Sequence, residues 1–373
     1  MTYLLPLMAV CLLLAALSQW HTYQYAAHGR AYNRFTDVAF FLIVVILSVF
    51  AGSRVRYNDT VNYMRAFLKV PTIDVYLSTP GMLNFFRNPL FMLFQSLLRT
   101  YTDNPQWLIL TTSVFTQTCF IRFIKRYSEN FTFSIFLYFT LGTFVFSLAA
   151  IKQILAMAIM TLAFPYLERH KWGRYYLVVL IAMMFHTYAV VYAMLPFFRV
   201  RPWKTFTFVF VAVMTVILFN FEETLAAFMD QANDLGKTLT DAEVFDDATI
   251  NVFRLAVYAI PPLISLLLRR WALAGNSEMD NIMIHMSIIS FAFMSLGTQA
   301  GANMFGRMGN YFEIGTICCL PMMLKKSFET RSFRLISVIA CICFMGFFYY
   351  ANAVKLDFSV WYQMESLLDL LRG

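Results

Sequence analysis

The sequence predicts an all-α polytopic membrane protein, and three observations carry that prediction. Of 373 residues, 60% are hydrophobic and only 13% are charged, against roughly 25% charged in soluble domains. The apolar residues gather into runs close to the about 20 residues a helix needs to cross the hydrocarbon core. Those runs do not alternate, as Phe40 to Phe50 illustrates, which excludes a barrel built from alternating strands of about 10 residues.

Taken in order, the apolar runs predict about ten spans, at 3–18, 38–53, 106–121, 131–148, 150–167, 205–221, 251–268, 280–300, 307–324 and 333–350. The first is expected to stay in the membrane, because Met1-Thr2-Tyr3 supplies no basic region like that of a cleaved signal. All six cysteines fall inside hydrophobic runs, where they read as small apolar residues. The segment 89–98 is too short to span and reads as an interfacial helix. No internal repeat is apparent, and no polar segment is large enough for a separate catalytic domain, so one membrane domain covering 1–373 is expected.

Orientation follows from the short basic loops. Arg30/Arg34, Arg122/Lys125/Arg126, Arg169/Lys171/Arg174, Arg199/Arg201/Lys204, Arg269/Arg270 and Lys325/Lys326/Arg331/Arg334 hold more than half of the 29 Lys and Arg. All can lie in the cytoplasm if the 175–198 stretch, basic at both ends, enters and turns back. It then forms a re-entrant pair of half-helices meeting at Phe185-His186-Thr187. Broken helices at membrane depth are tolerated where they line a protein cavity, so His186 is expected deep inside the protein. The N-terminus, the 54–105 segment, the acidic 222–250 loop and the 351–373 tail then lie outside. The net charge of +8 is thus an orientation signal and not a nucleic-acid footprint.

Cations on the outer side are left over by this rule, among them Arg65, Lys69, Arg87 and Arg99. Lys237 in the acidic loop and Lys355 and Arg372 in the tail read as solvated. Arg54, Arg56, Lys152, Arg254 and Arg307 are different, since all stand at the outer ends of spans. Charges there mark substrate sites, or they snorkel to the interface. A lipid-linked diphosphate has matching charge and depth, and preorganised cations would stabilise it as the leaving group of a glycosyl transfer. Asp241, Glu243, Asp246 and Asp247 only weakly resemble a metal site and read as a solvated acidic loop. The acceptor hydroxyl needs a base or an orienting acceptor. Asp59, with Tyr63 one helical turn on, and His186 are the candidates; Asp59 can equally be an N-cap for a helix over 60–69, and His186 a packed polar residue. Gln153, Tyr311 and Glu313 are weaker candidates, Glu313 also as a buried partner for one of the cations.

In this order the residues resemble the EpsG family, which is related to Wzy-type O-antigen and capsule polymerases. Four elements carry the likeness: a segment after the second span ending in Asp59 and Tyr63; Ile151-Lys152-Gln153-Ile154-Leu155-Ala156; Phe185-His186-Thr187; and Arg307-Met308-Gly309-Asn310-Tyr311-Phe312. Tyr57 stands where the pattern has Gly, Ser53 where it has its first Arg, and Lys152 where it has Arg. Lysine keeps the charge but not the forked geometry.

The resemblance implies a glycosyltransferase of the C-type class or a close variant. It would join undecaprenyl-diphosphate-linked oligosaccharide repeat units on the outer face of a bacterial inner membrane. Arg54, Arg56, Lys152 and Arg307, with Arg254 as a further contact, would hold the donor diphosphate. Asp59 or His186 would act on the acceptor hydroxyl, and Tyr63, Gln153 and Tyr311 would shape the site. Tyr57, Tyr76, Phe85 and Phe86 are available to stack on sugars or to anchor at the interface. No cofactor and no metal is implied; the partners implied are the lipid-linked oligosaccharide, the bilayer, and chain-length regulator and flippase proteins. A flippase of the same lipid would also need a cationic cavity but should show two similar halves. A membrane acyltransferase using His186 would want its cations facing the cytoplasm.

Overall fold

The computed structural model describes residues 1–27, 37–79, 88–221, 223, 250–299 and 303–372. Arg30, Arg34, Phe85, Phe86, Arg87, Lys237, Asp241, Glu243, Asp246 and Asp247 lie outside the described residues. Among the described residues the regular structure is helical apart from one two-stranded ribbon, and the chain divides into two compact units, Met1–Val190 with Phe344–Gly373, and Val191–Cys343.

In the first unit, α1 (Leu4–Ala27), α2 (Val38–Gly52), α6 (Gln106–Tyr127) and α9 (Ile151–Thr161) pack with α7 (Phe131–Thr140), α8 (Thr143–Ala149), α10 (Phe164–Glu168) and α11 (Trp172–Phe185). Between α2 and α6 lie the strand β1 (Arg54–Arg56) and three short helices, α3 (Thr60–Leu68), α4 (Ile73–Ser78) and α5 (Pro89–Tyr101). Gly52 lets α2 approach α6 closely; a Cβ there would sit 2.7 Å from Leu110. At the other end of α2, a buried charge ties three helices. The Ser18 hydroxyl donates to Asp37, the N-cap of α2, while Lys125 Nζ reaches Ser18 Oγ at 2.7 Å and Thr22 Oγ1 at 2.9 Å. Lys125, read from the sequence as a topology signal, is therefore also a structural tie, 3.7 Å from the Asp37 carboxylate.

The second unit holds α12 (Thr205–Phe219), α13 (Val252–Leu267), α14 (Arg269–Ala272), α15 (Glu278–Leu296), α16 (Asn303–Asn310) and α17 (Glu313–Ser327). Helix α15 is its centre, in contact with α12, α13, α16 and α17. Helix α18 (Thr330–Tyr349) leads back to the first unit.

Every expected span has a helical counterpart, but fewer are long enough. Five helices among the described residues have the length and apolarity to cross a membrane, six if a bent pair counts as one. By length and composition these are five or six candidate spans, consistent with an all-α membrane protein. The expected 131–148 span is that bent pair, α7 and α8 meeting at 50°. The bend sits at Gly142, whose φ of +97° suits a residue without Cβ. The expected 307–324 span breaks between α16 and α17, and 38–52, 205–219 and 252–267 are shorter apolar helices. At 175–198, α11 ends where His186 turns extended, and a 3₁₀ helix runs on over Thr187–Arg199. The break falls on the expected residue.

The tail is folded, although Lys355 and Arg372 are exposed on it. Helix α19 (Phe358–Trp361), strand β2 (Gln363–Met364) and helix α20 (Leu367–Arg372) fold onto the first unit, with β2 antiparallel to β1. Tyr362 stacks on Phe50 at 4.9 Å and on Phe358 at 4.8 Å, and both Phe358 and Tyr362 are buried. The physical reason lies in the end of α2. Terminal carbonyls of a helix have no partner within it, and here each finds one elsewhere. Phe50 O accepts from the Tyr362 hydroxyl at 2.7 Å, Ala51 O from Arg54 Nη1, and Gly52 O from Gln106 Nε2 at 2.5 Å. Ser53 O then accepts from the Glu365 amide at 3.1 Å.

Candidate functional site

The first unit contains a half-open cleft of about 510 Å³ between α3, α5 and the start of α9. That volume is within the range of small-molecule sites, about 300–1,000 Å³. Helix α3 lines it along one face with Asp59, Asn62, Tyr63 and Ala66, followed by Lys69, the i, i+3, i+4 spacing of a single helical stripe. Helix α5 contributes Phe91, Met92 and Gln95 from the opposite wall, and α9 contributes Lys152.

Local sequence explains these placements. Asn58 takes a left-handed φ of +45°, a conformation Asn tolerates, and turns the chain from β1 into α3. The tight turn that Gly would make in the family pattern is thus made one residue later. Thr60 closes it, its amide and hydroxyl both donating to Tyr57 O, at 2.9 and 2.7 Å. Asp59 occupies the N-cap position but makes no capping bond with its side chain, which is exposed at the cleft. Helix α5 starts from Asn88 at φ +53° with Pro89 in its first turn. Ser96 Oγ then donates to Pro71 O at 2.7 Å, pinning the turn after α3 against α5.

The cleft is graded. Asp59 and Lys69 are ten residues apart, about 15 Å along a helix. In the middle, Tyr63 stands edge-on to Phe91 at 6.1 Å and Lys152 Nζ lies 5.5 Å from the same ring. At the Lys69 end, Gln95 is 2% exposed and its Nε2 has no hydrogen-bond partner.

Asp59, Tyr63 and Lys152, three sequence-predicted residues from two motif elements, therefore come together. Gln153 is buried beside Lys152 in α9. His186 does not line the cleft. It is half-buried after the end of α11, edge-on to Tyr188 at 5.1 Å, while its neighbour Phe185 packs on the Phe91, Ile151 and Leu155 cluster beneath the cleft. Arg54 does not line it either. Its side chain is 1% exposed and bonded inward, to Ala51 O, Ser113 Oγ at 3.0 Å and Thr60 Oγ1 at 3.3 Å. Burial lowers its pKa to about 10, which leaves it charged at neutral pH. Arg56 is exposed and covers the Trp361 ring at 5.8 Å.

The other predicted residues belong to the second unit. Arg254 Nη2 donates to Asn310 Oδ1 at 3.0 Å and its guanidinium lies over the Tyr258 ring at 5.4 Å. Glu313 is buried in the first turn of α17. Tyr311 is buried at the break between α16 and α17, and its carbonyl accepts from the Tyr192 hydroxyl. Arg307 is exposed on α16.

The sequence reading missed Asn62 and Gln95 and left Lys69 unassigned. For Asn62 and Lys69 the signal was the stripe itself, since Asn62 stands three residues after Asp59 and Lys69 three after Ala66. It also missed His285, buried in α15 between Thr207 Oγ1 at 2.8 Å and Asn281 O at 2.9 Å. A carbonyl can only accept, so Nδ1 carries the proton and Nε2 accepts from Thr207. Both ring nitrogens are thereby used in packing.

Comparison with curated proteins and with solved structures returned no match. A family model does match, over residues 37–364, a stretch that includes the cleft and all four motif elements, and on that evidence the chain belongs to the EpsG family.

Proposed function

We propose that the protein is a polysaccharide polymerase that joins undecaprenyl-diphosphate-linked oligosaccharide repeat units by glycosyl transfer on the outer face of a bacterial inner membrane. The observation that carries this reading is the meeting of Asp59, Tyr63 and Lys152 in one cleft. An acid and a cation across an aromatic wall are what such a transfer requires.

In this mechanism the Asp59 carboxylate accepts the proton of an acceptor hydroxyl. The freed oxygen attacks the anomeric carbon of the donor sugar as its bond to the lipid diphosphate breaks. The leaving diphosphate gains charge, and Lys152 stabilises it as a point cation. Tyr63 and Phe91 supply an apolar wall for the sugar rings. Arg54 acts as a positioning residue, fixing β1 and the turn into α3 from within the protein. Asp59 is the base of choice over His186 because it lines the cleft and its carboxylate makes no hydrogen bond among the described residues. Exposed Arg56, in the same unit as the cleft, is a further cation for anionic parts of the donor. A ten-crossing topology with a re-entrant turn at His186, and a C-type glycosyltransferase architecture, complete the proposal.

The test uses purified protein, a defined undecaprenyl-diphosphate-linked repeat unit and excess EDTA, with the lipid-linked products sized. The expected result is a ladder spaced by whole repeat units. A ladder only with divalent metal would replace Lys152 as the main stabiliser of the leaving group. No ladder under either condition, together with transbilayer movement of the lipid in proteoliposomes, would overturn the polymerase in favour of a transporter.

A further inference from the structure

The Lys69 end of the cleft holds a polar group that the proposed transfer does not use. Gln95 is almost wholly buried, yet it lines the cleft, and its Nε2 donor has no partner. A buried donor left unmade costs the full desolvation of the group. A ligand in the cleft that supplies the acceptor removes that cost.

What lies around Gln95 narrows the acceptor. Ser96, the next residue, is bonded to Pro71 O, so Gln95 and the Lys69-Val70-Pro71 turn share one end of the cleft. Lys69 brings a positive charge that forms no ion pair among the described residues. Phe91, one helical turn before Gln95, carries Lys152 over its ring. An unpartnered amide N–H in a cleft also lined by two lysines and an aromatic ring suits an oxyanion borne on a sugar better than a neutral hydroxyl, which would bring a donor of its own.

We propose that this end of the cleft is a subsite for an acidic sugar, in which Gln95 Nε2 and Lys69 Nζ bind the carboxylate of a ring seated against Phe91. The protein would then act on repeat units that carry a negative charge on the glycan itself. This rests on the cleft being the glycosyl-transfer site, but the subsite is testable without turnover. The same oxyanion chemistry could be met by the carrier diphosphate, and the test separates the two sources.

Full-length protein in detergent is titrated with glucuronyl-β-1,4-glucose, with its neutral counterpart cellobiose, and with inorganic pyrophosphate, and binding is read by ligand-observed NMR. The acidic disaccharide should bind and cellobiose should bind at least about tenfold more weakly, the value of one charge-assisted hydrogen bond. Gln95→Leu, which keeps the volume but removes the donor, and Lys69→Gln, on an exposed site, should each weaken the acidic disaccharide about tenfold or more and leave cellobiose unmoved. Equal binding of the two disaccharides would overturn the acidic-sugar assignment. Binding of pyrophosphate alone, weakened by the same two variants, would reassign the subsite to the carrier. Absence of binding by all three at millimolar concentration would remove the subsite. None of these failures touches the repeat-unit ladder, which tests the polymerase independently.

Discussion

The β1 turn and the cleft beside it both collect cations, and they use them in opposite ways. Arg54 points into the protein, and its guanidinium is occupied by Ala51 O, Ser113 and Thr60. Lys69 and Lys152 line an opening together with an acid, an aromatic pair and an unpartnered amide. From the sequence, Arg54 and Lys152 look equivalent, as charges at span ends inside motif elements. The structure separates a cation that completes a helix terminus from cations that line a cleft.

The sharpest way to break this comparison is to remove charge from each side. Asp59→Asn keeps the shape of the cleft and a residue equally suited to the N-cap position. It should lower chain extension about 10²- to 10⁴-fold, the usual worth of a positioned base, with no change in unfolding temperature. Undiminished product ladders from this variant would return the base to His186. Arg54→Met should do the reverse. With three acceptors losing a charged donor, the protein should lose about 2–4 kcal/mol of stability, read as lower abundance and an earlier unfolding transition in detergent. The folded fraction should keep near-normal activity per molecule. A stable Arg54→Met protein with no activity would move Arg54 from positioning to diphosphate binding.

The two regions were also unequally legible in the sequence. Helix positions followed from hydrophobic runs, because burial in lipid and burial in protein select the same residues. Span lengths did not, since Gly142 and the Tyr311-Phe312 break interrupt apolar stretches without changing their composition. Asp59, Tyr63 and Lys152 could be named because motif spacing survives in one dimension. Gln95 could not, because its significance lies in having no partner, which only the packing of α5 against the turn after α3 reveals. The packing of the tail was not legible for a related reason. Its anchor, Tyr362, pairs with Phe50 across more than three hundred residues, and nothing local in Phe358-Ser359-Val360-Trp361-Tyr362 announces it.

That anchor supplies the smallest and most specific prediction. Tyr362→Phe keeps the ring, and with it the stacks on Phe50 and Phe358, but deletes the hydroxyl that satisfies Phe50 O at 2.7 Å. The other carbonyls at the end of α2 keep their partners, because those come from Arg54, Gln106 and the Glu365 amide. One orphaned acceptor should therefore cost about 0.5–1.5 kcal/mol, a shift of no more than a few degrees in unfolding temperature. Chain extension should be unchanged, since the cleft is built by α3, α5 and α9 and not by the tail. If extension falls while stability holds, the tail acts on the cleft through β1 and the Asn58 turn, and the two regions work as one device. If both hold, the tail serves to close the end of α2, and the aromatic stack alone is enough to keep it there.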